Sequence, residues 1–113
     1  MKKFSCSIAV YICIVALTGC ALAQQGAISK AHSAIEKDDY TYALKSLSDA
    51  EKYVEPTPEL KAEIVYMRAA CYEGLERKSE AIGALKYLVD KFPDTHYAYQ
   101  AKEKLRELED KKE

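Results

Sequence analysis

The four cysteines are the residues of this chain best suited to chemistry, and their positions separate them into two groups. Cys6, Cys13 and Cys20 lie in or directly after an uncharged N-terminal stretch, whereas Cys71 lies alone in the second half. A thiolate is a nucleophile and a metal ligand, so each cysteine is a candidate reactive or metal-binding residue. Because only Cys71 lies away from the N-terminal stretch, the sequence predicts no internal disulfide framework.

No other residues have the spacing of a catalytic or metal site. His32 and His96 are far apart, and neither has a His or Cys partner at metal-ligand spacing. Asp38-Asp39 fit a turn and a helix cap better than an acid–base pair. Cys71 follows two alanines on a predicted helix, where a free cysteine is typically a small buried residue; pairing between chains is the alternative. We expect no enzymatic activity, no cofactor and no metal.

The N-terminal stretch has the layout of a secretory signal peptide. Lys2 and Lys3 give it a positive start, and residues 4–16 are apolar or small without charge. The sequence Leu17-Thr18-Gly19-Cys20 resembles the lipobox of bacterial lipoproteins. This resemblance implies that residues 1–19 are cut off and that the thiol of Cys20 accepts a diacylglyceryl group, with fatty acyl chains such as palmitate.

Two alternatives fit the same stretch. Ala21-Leu22-Ala23 is also a small-x-small cleavage site, and cutting before Gln24 would release a soluble protein. The uncharged residues 4–23 are also just long enough to span a bilayer as an uncut anchor. All three interpretations place the rest of the chain outside the cytoplasm. The lipobox favours a lipid-anchored, periplasm-facing protein of the cell envelope, with the outer membrane favoured over the inner. A periplasmic or secreted protein is the alternative.

The charge of the chain limits its partners. The formal net charge is −1, and loss of Lys2 and Lys3 would bring it to −3. Nucleic-acid binding needs a basic face, so we expect no nucleic-acid partner. The chain also has no polybasic segment to hold anionic lipid. Without the leader it is the size of one small domain.

The remainder of the chain predicts five helices. Apolar residues recur at helical spacing, and no segment alternates apolar and polar residues as a strand does. Asp38-Asp39 separates the first two helices and can cap the second, while Thr57-Pro58 is a good start for the third. Phe92-Pro93 ends the fourth helix, and Asp94 or Thr95 caps the fifth. The predicted ranges are 25–37, 40–53, 58–75, 78–91 and 95–110.

Residues 65–93 resemble one tetratricopeptide (TPR) repeat. That repeat has a large apolar residue, Leu-Gly, Tyr, Ala, a second large apolar residue and Pro at fixed intervals. Arg68 departs from the pattern, and we expect imperfect inner packing of its helix. The residues at the seven places are Val65, Arg68-Ala69, Tyr72, Ala81, Leu85 and Pro93.

A weaker copy of the repeat lies upstream. Ala43 and Ala81 occupy the same place in the two copies, and we call their separation along the chain the repeat interval. It is a little longer than the family's interval of about 34 residues, and the turn at residues 54–58 can hold the extra length. Two unrelated helical hairpins are the alternative, but small residues at helix crossings favour the repeat. The further residues on the template are Ala31, Leu47 and Ala50, while Ala27, Lys30 and Ala34 replace Trp, Leu and Tyr.

These patterns predict an all-α fold of TPR-like helical hairpins, a fragment of a right-handed α-solenoid. Residues 20–26 form a short tether, residues 27–95 two TPR-like repeats, and residues 96–113 a C-terminal capping helix. The nearly all-charged end of the last helix suits a solvated cap, which a stack of repeats needs.

One phrase resembles a subtype of the TPR family. Phe92-Pro93-Asp94, followed by Tyr97-Ala98 and Ala101, is similar to the repeats of envelope TPR proteins. Examples are the lipoprotein of the outer-membrane β-barrel assembly machine, which has more repeats, and the periplasmic coordinator that works with Tol–Pal. The resemblance covers residues 58–108. It implies a protein–protein interaction module with a protein partner in the envelope and no small-molecule substrate.

In TPR proteins the first helix of each pair forms the concave, ligand-binding face. By register, the partner-binding residues are Glu63, Tyr66, Ala70 and Tyr97, joined by Ile28 and His32 from the first helix. Tyrosine is enriched at interfaces, although several of the tyrosines are expected to fill the core instead.

The basic clamp of chaperone-binding TPRs is replaced on this face by Glu63 and Glu73, which favours a neutral or basic ligand. The leading interpretation is a membrane-tethered interaction module. The alternatives are a structural subunit of an envelope complex or homo-oligomer without a peptide groove, and a soluble exported TPR protein.

Overall fold

The structure is a computed structural model that describes residues 2–53 and 55–111, with side chains described for residues 7–15, 19–53 and 55–111. It consists of five helices: α1 (Lys2–Glu36), α2 (Tyr40–Tyr53), α3 (Pro58–Gly74), α4 (Lys78–Lys91) and α5 (His96–Asp110). No strand occurs in the described ranges. The all-α prediction is therefore confirmed.

Helices α2 to α5 agree with the predicted ranges to within one residue at each end. The first helix differs, because α1 begins at Lys2 instead of near residue 25. No proline occurs before Pro56, so nothing interrupts the helix between the apolar leader and the domain. Residues 20–26, predicted as a tether, lie within α1.

Some predictions concern residues outside this description, and they stay predictions. They involve the backbone of Val54, the end residues Lys112 and Glu113, and the side chains of Lys2, Lys3, Phe4, Cys6, Leu17 and Thr18.

The predicted helix caps are confirmed. The Thr57 hydroxyl accepts a hydrogen bond from the Leu60 amide at 3.2 Å, and Pro58 is the first helical residue. The Thr95 hydroxyl accepts from the Ala98 amide at 3.3 Å. Such caps satisfy amide groups that have no partner within the helix, which explains why these ends are readable from sequence.

The two helical hairpins close with the same turn. Asp38 has φ 59° in the first turn and Glu76 has φ 60° in the second. The Asp39 amide donates to the Ala34 carbonyl at 2.8 Å, as the Arg77 amide does to the Tyr72 carbonyl at 2.8 Å. Asp38 and Glu76 are one repeat interval apart, so the internal repetition predicted from the alanines has a counterpart in the backbone.

Helix α3 lies at the centre of the core and joins two apolar clusters. Ile64, Met67 and Cys71 pack with residues of α1 and α2. Ala62 and Ala69 face the other way and pack with residues of α4 and α5. Helix α2 contacts α1 and α3, while α4 contacts α3 and α5. Helices α1, α3 and α5 therefore share one side of the domain.

Alanine fills most of the helix crossings. Small side chains let helix axes approach closely, which compensates for the small volume of this core. The alanines with no exposed surface are Ala31, Ala43, Ala50, Ala62, Ala81, Ala98 and Ala101.

Arg68 makes a contact that the TPR pattern does not predict. Its guanidinium donates to both carboxylate oxygens of Glu51 on α2, at 3.0 and 2.8 Å. A bidentate pair of this kind fixes geometry as well as charge. The departure from Leu at this position therefore gives an ion pair between α2 and α3.

Candidate binding face of helices α1, α3 and α5

Four side chains from three helices meet on the side that α1, α3 and α5 share, and we call this set (His32, Glu63, Tyr66 and Tyr97) the α1–α3–α5 face. His32 Nε2 lies 3.1 Å from Glu63 Oε1 and links α1 to α3. The rings of Tyr66 and Tyr97 have centroids 5.7 Å apart and link α3 to α5. The structure thus brings together the residues that the register places on one face.

Glu63 is the residue that connects all three helices of the face. Burial, the charge of Glu63 and a hydrogen bond with its carboxylate raise the pKa of the Tyr97 hydroxyl. The Tyr97 hydroxyl thus lies in the field of the Glu63 carboxylate, which also pairs with His32. A carboxylate with two partners inside the protein is a weaker attractor for a basic ligand than the sequence alone implies.

Ala70 borders a shallow hollow beside the face. Tyr66, Glu73 and Lys104 line the same hollow. Lys104 Nζ is 3.4 Å from Glu73 Oε2, so Glu73 has a cationic neighbour. Burial alone lowers the pKa of Lys104, but the Glu73 and Glu107 carboxylates outweigh it and raise the value.

Sequence reasoning did not identify Lys104 as part of this surface. It lies two helical turns after Tyr97, a spacing that returns to the same face of a helix. That periodicity was the available signal. Lys104 Nζ lies 3.4 Å from both Glu73 Oε2 and Glu107 Oε2, so it reduces the acidic bias expected from Glu63 and Glu73 without cancelling it.

An open groove of about 880 Å³ adjoins the face between α1 and α3. Ile28 and Leu60 give it apolar walls, and His32 and Glu63 form its border with the face. The remaining lining residues are Ala21, Leu22, Gln24, Gln25 and Ser29. Sequence analysis assigned Ile28 and His32 to this region, but not Leu60 or the residues before Ile28.

The tyrosines divide between the core and the surface. Tyr66 and Tyr97 are half-buried and pack against the cluster of α3, α4 and α5, so part of each ring stabilises the fold. Tyr42 and Tyr87 are exposed and belong to α2 and α4, which lie on the other side. These two make suitable controls for the pair on the face.

The cysteines differ in exposure. Cys71 is fully buried, as predicted, and burial raises the pKa of its thiol to about 11. Cys13 and Cys20 are exposed and free. Among the residues with described side chains, no group of three or more His, Cys, Asp or Glu could hold a metal ion.

Helix α1 contains a segment, Ser7–Glu36, that is long and apolar enough to cross a membrane, the one such segment in the described ranges. It lies near the N-terminus, and almost none of its most apolar part is buried. A secretory signal sequence has the same properties.

Comparisons of the chain with family models, with curated proteins and with solved structures found no match. A function can therefore be proposed only from the geometry of the face and the spacing of residues along the chain.

Proposed function

We propose that this chain is a membrane-tethered protein–protein interaction module of the bacterial cell envelope, which binds a segment of another protein on the α1–α3–α5 face. One observation carries the proposal: three separate helices contribute His32, Glu63, Tyr66 and Tyr97 to one contiguous surface beside an open apolar groove. Aromatic anchors beside an apolar cleft are typical of protein-binding sites.

A TPR-like arrangement is the fold that fits this proposal. Its support is the shared turn geometry of the two hairpins, whose turns are one repeat interval apart. The common side of α1, α3 and α5 would then be the concave face of a short solenoid, with α5 as its capping helix.

Cleavage before Cys20 receives support from the same repeat interval. Helix α3 begins at Pro58 and α5 begins at His96, one repeat interval later. One repeat interval before Pro58 is Cys20, so a chain cut there would begin its first helix at the equivalent position. The ends of α1 and α3, Glu36 and Gly74, are separated by the same interval.

Cleavage before Gln24 fits the groove less well. It would remove Ala21 and Leu22, which line the groove beside α3. It would also leave α1 about one turn shorter at its start than the equivalent helix α3. Lipid attachment at Cys20 keeps both features, so it is the interpretation we adopt for the tether.

The ligand that suits this face is an apolar segment with little net charge. The Tyr66 and Tyr97 rings and the walls of the groove offer apolar contact. The two acids expected to select basic ligands are paired, Glu63 with His32 and Glu73 with Lys104. Both pairs are partly exposed, so breaking either one costs a ligand little, but each pair weakens the attraction of its acid for a basic ligand.

The proposal is tested by capture from envelope extract with three forms of the full chain. These are the wild type, the Tyr66→Ala, Tyr97→Ala double variant and the Tyr42→Ala, Tyr87→Ala double variant as matched control. Aromatic anchors often contribute about 2 kcal/mol or more each, so the first variant should lose its partner and the control should keep it.

Folding is checked first, because Tyr66 and Tyr97 also pack against the core. Circular dichroism and thermal melts identify a variant that no longer folds, and His32→Ala then replaces it, since His32 is exposed and at the border of the groove. Retention of the same partners by the face variants would contradict binding on this face and favour a structural subunit.

A further inference from the structure

We propose that the end of the domain carrying Cys20 rests directly on the lipid headgroup layer, through Leu22, Tyr53 and Tyr99. The partner is a zwitterionic phospholipid surface, recognised by amphipathic side chains and not by charge. This inference rests on the proposed tether at Cys20, and it adds the orientation in which the tether holds the domain.

Cys20 lies only a short distance from the packed domain. Gln24 is only 7% exposed, and its Nε2 donates to the Ala50 carbonyl on α2 at 3.0 Å. Gln24 follows Cys20 by about one helical turn, which corresponds to about 6 Å along the axis. The headgroup region on each side of a bilayer has a similar thickness, about 5–7 Å. A lipid-bearing Cys20 therefore brings the end of the domain into contact with the headgroups.

Exposed apolar and aromatic side chains lie at this end, among them Leu22, Tyr53 and Tyr99. Leu22 is 70% exposed and lies just after Cys20. Tyr53 is 47% exposed and lies in the last turn of α2, one turn after Ala50, whose carbonyl accepts the hydrogen bond from Gln24. Tyr99 is 61% exposed and lies two repeat intervals after Ala23, which places it near the corresponding level of α5.

The chemistry of these side chains suits an interface between lipid and water. Tyrosine has an apolar ring and a polar hydroxyl, and it is enriched where membranes meet water. Two lysines nearby are paired with acids: Lys52 Nζ lies 2.9 Å from Asp49 Oδ1, and Lys61 pairs with Glu55. Lys102 Nζ lies 5.4 Å from the centre of the Tyr99 ring, but one such cation does not make a polybasic cluster, so a zwitterionic bilayer matches this end better than an anionic one.

The chain contains no tryptophan, so a single introduced tryptophan reports its own surroundings. The variants are Tyr53→Trp and Tyr99→Trp, with Tyr42→Trp as matched control. Tyr42 is 45% exposed and lies in the first turn of α2, at the opposite end of the first hairpin. Each full-length gene is expressed in bacteria, and the processed protein is reconstituted into phosphatidylcholine vesicles that carry a quencher on a fraction of the headgroups.

We expect the Tyr53→Trp and Tyr99→Trp variants to lose fluorescence when the quencher is present, and the Tyr42→Trp variant to keep it. Flotation of each variant with the vesicles is measured in the same samples. Equal quenching of all three variants, with flotation intact, would overturn this inference and leave the tether standing. Failure to float, with an unmodified Cys20, would overturn both. Quenching that requires anionic lipid would contradict the zwitterionic partner.

Discussion

At the scale of single residues, Cys20 and Cys71 have opposite environments. Cys20 is exposed, whereas Cys71 is enclosed between α3 and the first hairpin. Reactivity follows the thiolate, which requires both a low pKa and access to solvent. The structure therefore gives Cys71 a packing role and leaves the Cys20 thiol accessible.

The Cys71 thiol should not react with a thiol reagent in the folded protein. Burial raises its pKa to about 11, so the thiol stays protonated throughout the range from neutral to mildly alkaline pH. We expect no Cys71 labelling by Ellman's reagent at mildly alkaline pH until denaturant is added. The Cys71→Ala variant provides the background from any other thiol. Rapid labelling of Cys71 without denaturant would contradict its burial.

At the scale of helices, Ala81 tests the packing of the second hairpin. Ala81 has no exposed surface at the start of α4, and a leucine there would overpack the crossing. We expect Ala81→Leu to lower the free energy of unfolding by about 1–3 kcal/mol in urea denaturation. An unchanged unfolding midpoint would show that α4 is in the wrong register.

Gly83 is the matched control on the same helix. A methyl group added there would meet no atom within 4 Å, and the residue is exposed. Because alanine has a higher helix propensity than glycine by about 1 kcal/mol, Gly83→Ala should be neutral or stabilising. The opposite signs of the two changes separate a packing effect from a general sensitivity of α4 to substitution.

Helix ends were predictable because local chemistry determines them. Thr57, Pro58 and Thr95 act through hydrogen bonds and backbone limits within a few residues, so the sequence contains the whole signal. The start of α1 was not predicted, since a helical leader and a helical domain without an intervening proline form one continuous helix. A continuous helix of this kind has no helix-start signal at residue 25.

The candidate face was predictable in part, for the same reason. Register along α3 and α5 indicates Glu63, Tyr66 and Tyr97, because it depends on one helix at a time. The pairing of Glu73 with Lys104 depends on how α5 packs against α3, which residue spacing along one helix does not encode. Gln24 likewise acquires its role only through contact with Ala50 on another helix.

At the scale of the molecule, the domain is a short stack with α3 at its centre. Two apolar clusters meet on this helix, and each relies on buried alanines and a few larger residues. A small core of this kind gives modest stability, which a bound partner or a membrane surface would increase. The groove lies between α1 and α3, and under the proposed cleavage Cys20 would be the first residue of α1, next to groove residues Ala21 and Leu22.

The central claim is that Cys20 begins the mature protein and tethers the binding face to the membrane. Its most direct test is the intact mass of the protein purified in detergent from bacterial envelopes, with Cys20→Ser as matched control. The claim predicts a chain that starts at Cys20 and carries added lipid mass, because one acyl chain holds a protein only marginally and firm anchoring needs more than one. An unmodified chain that starts at Gln24, or one that retains residues 1–19, would contradict it.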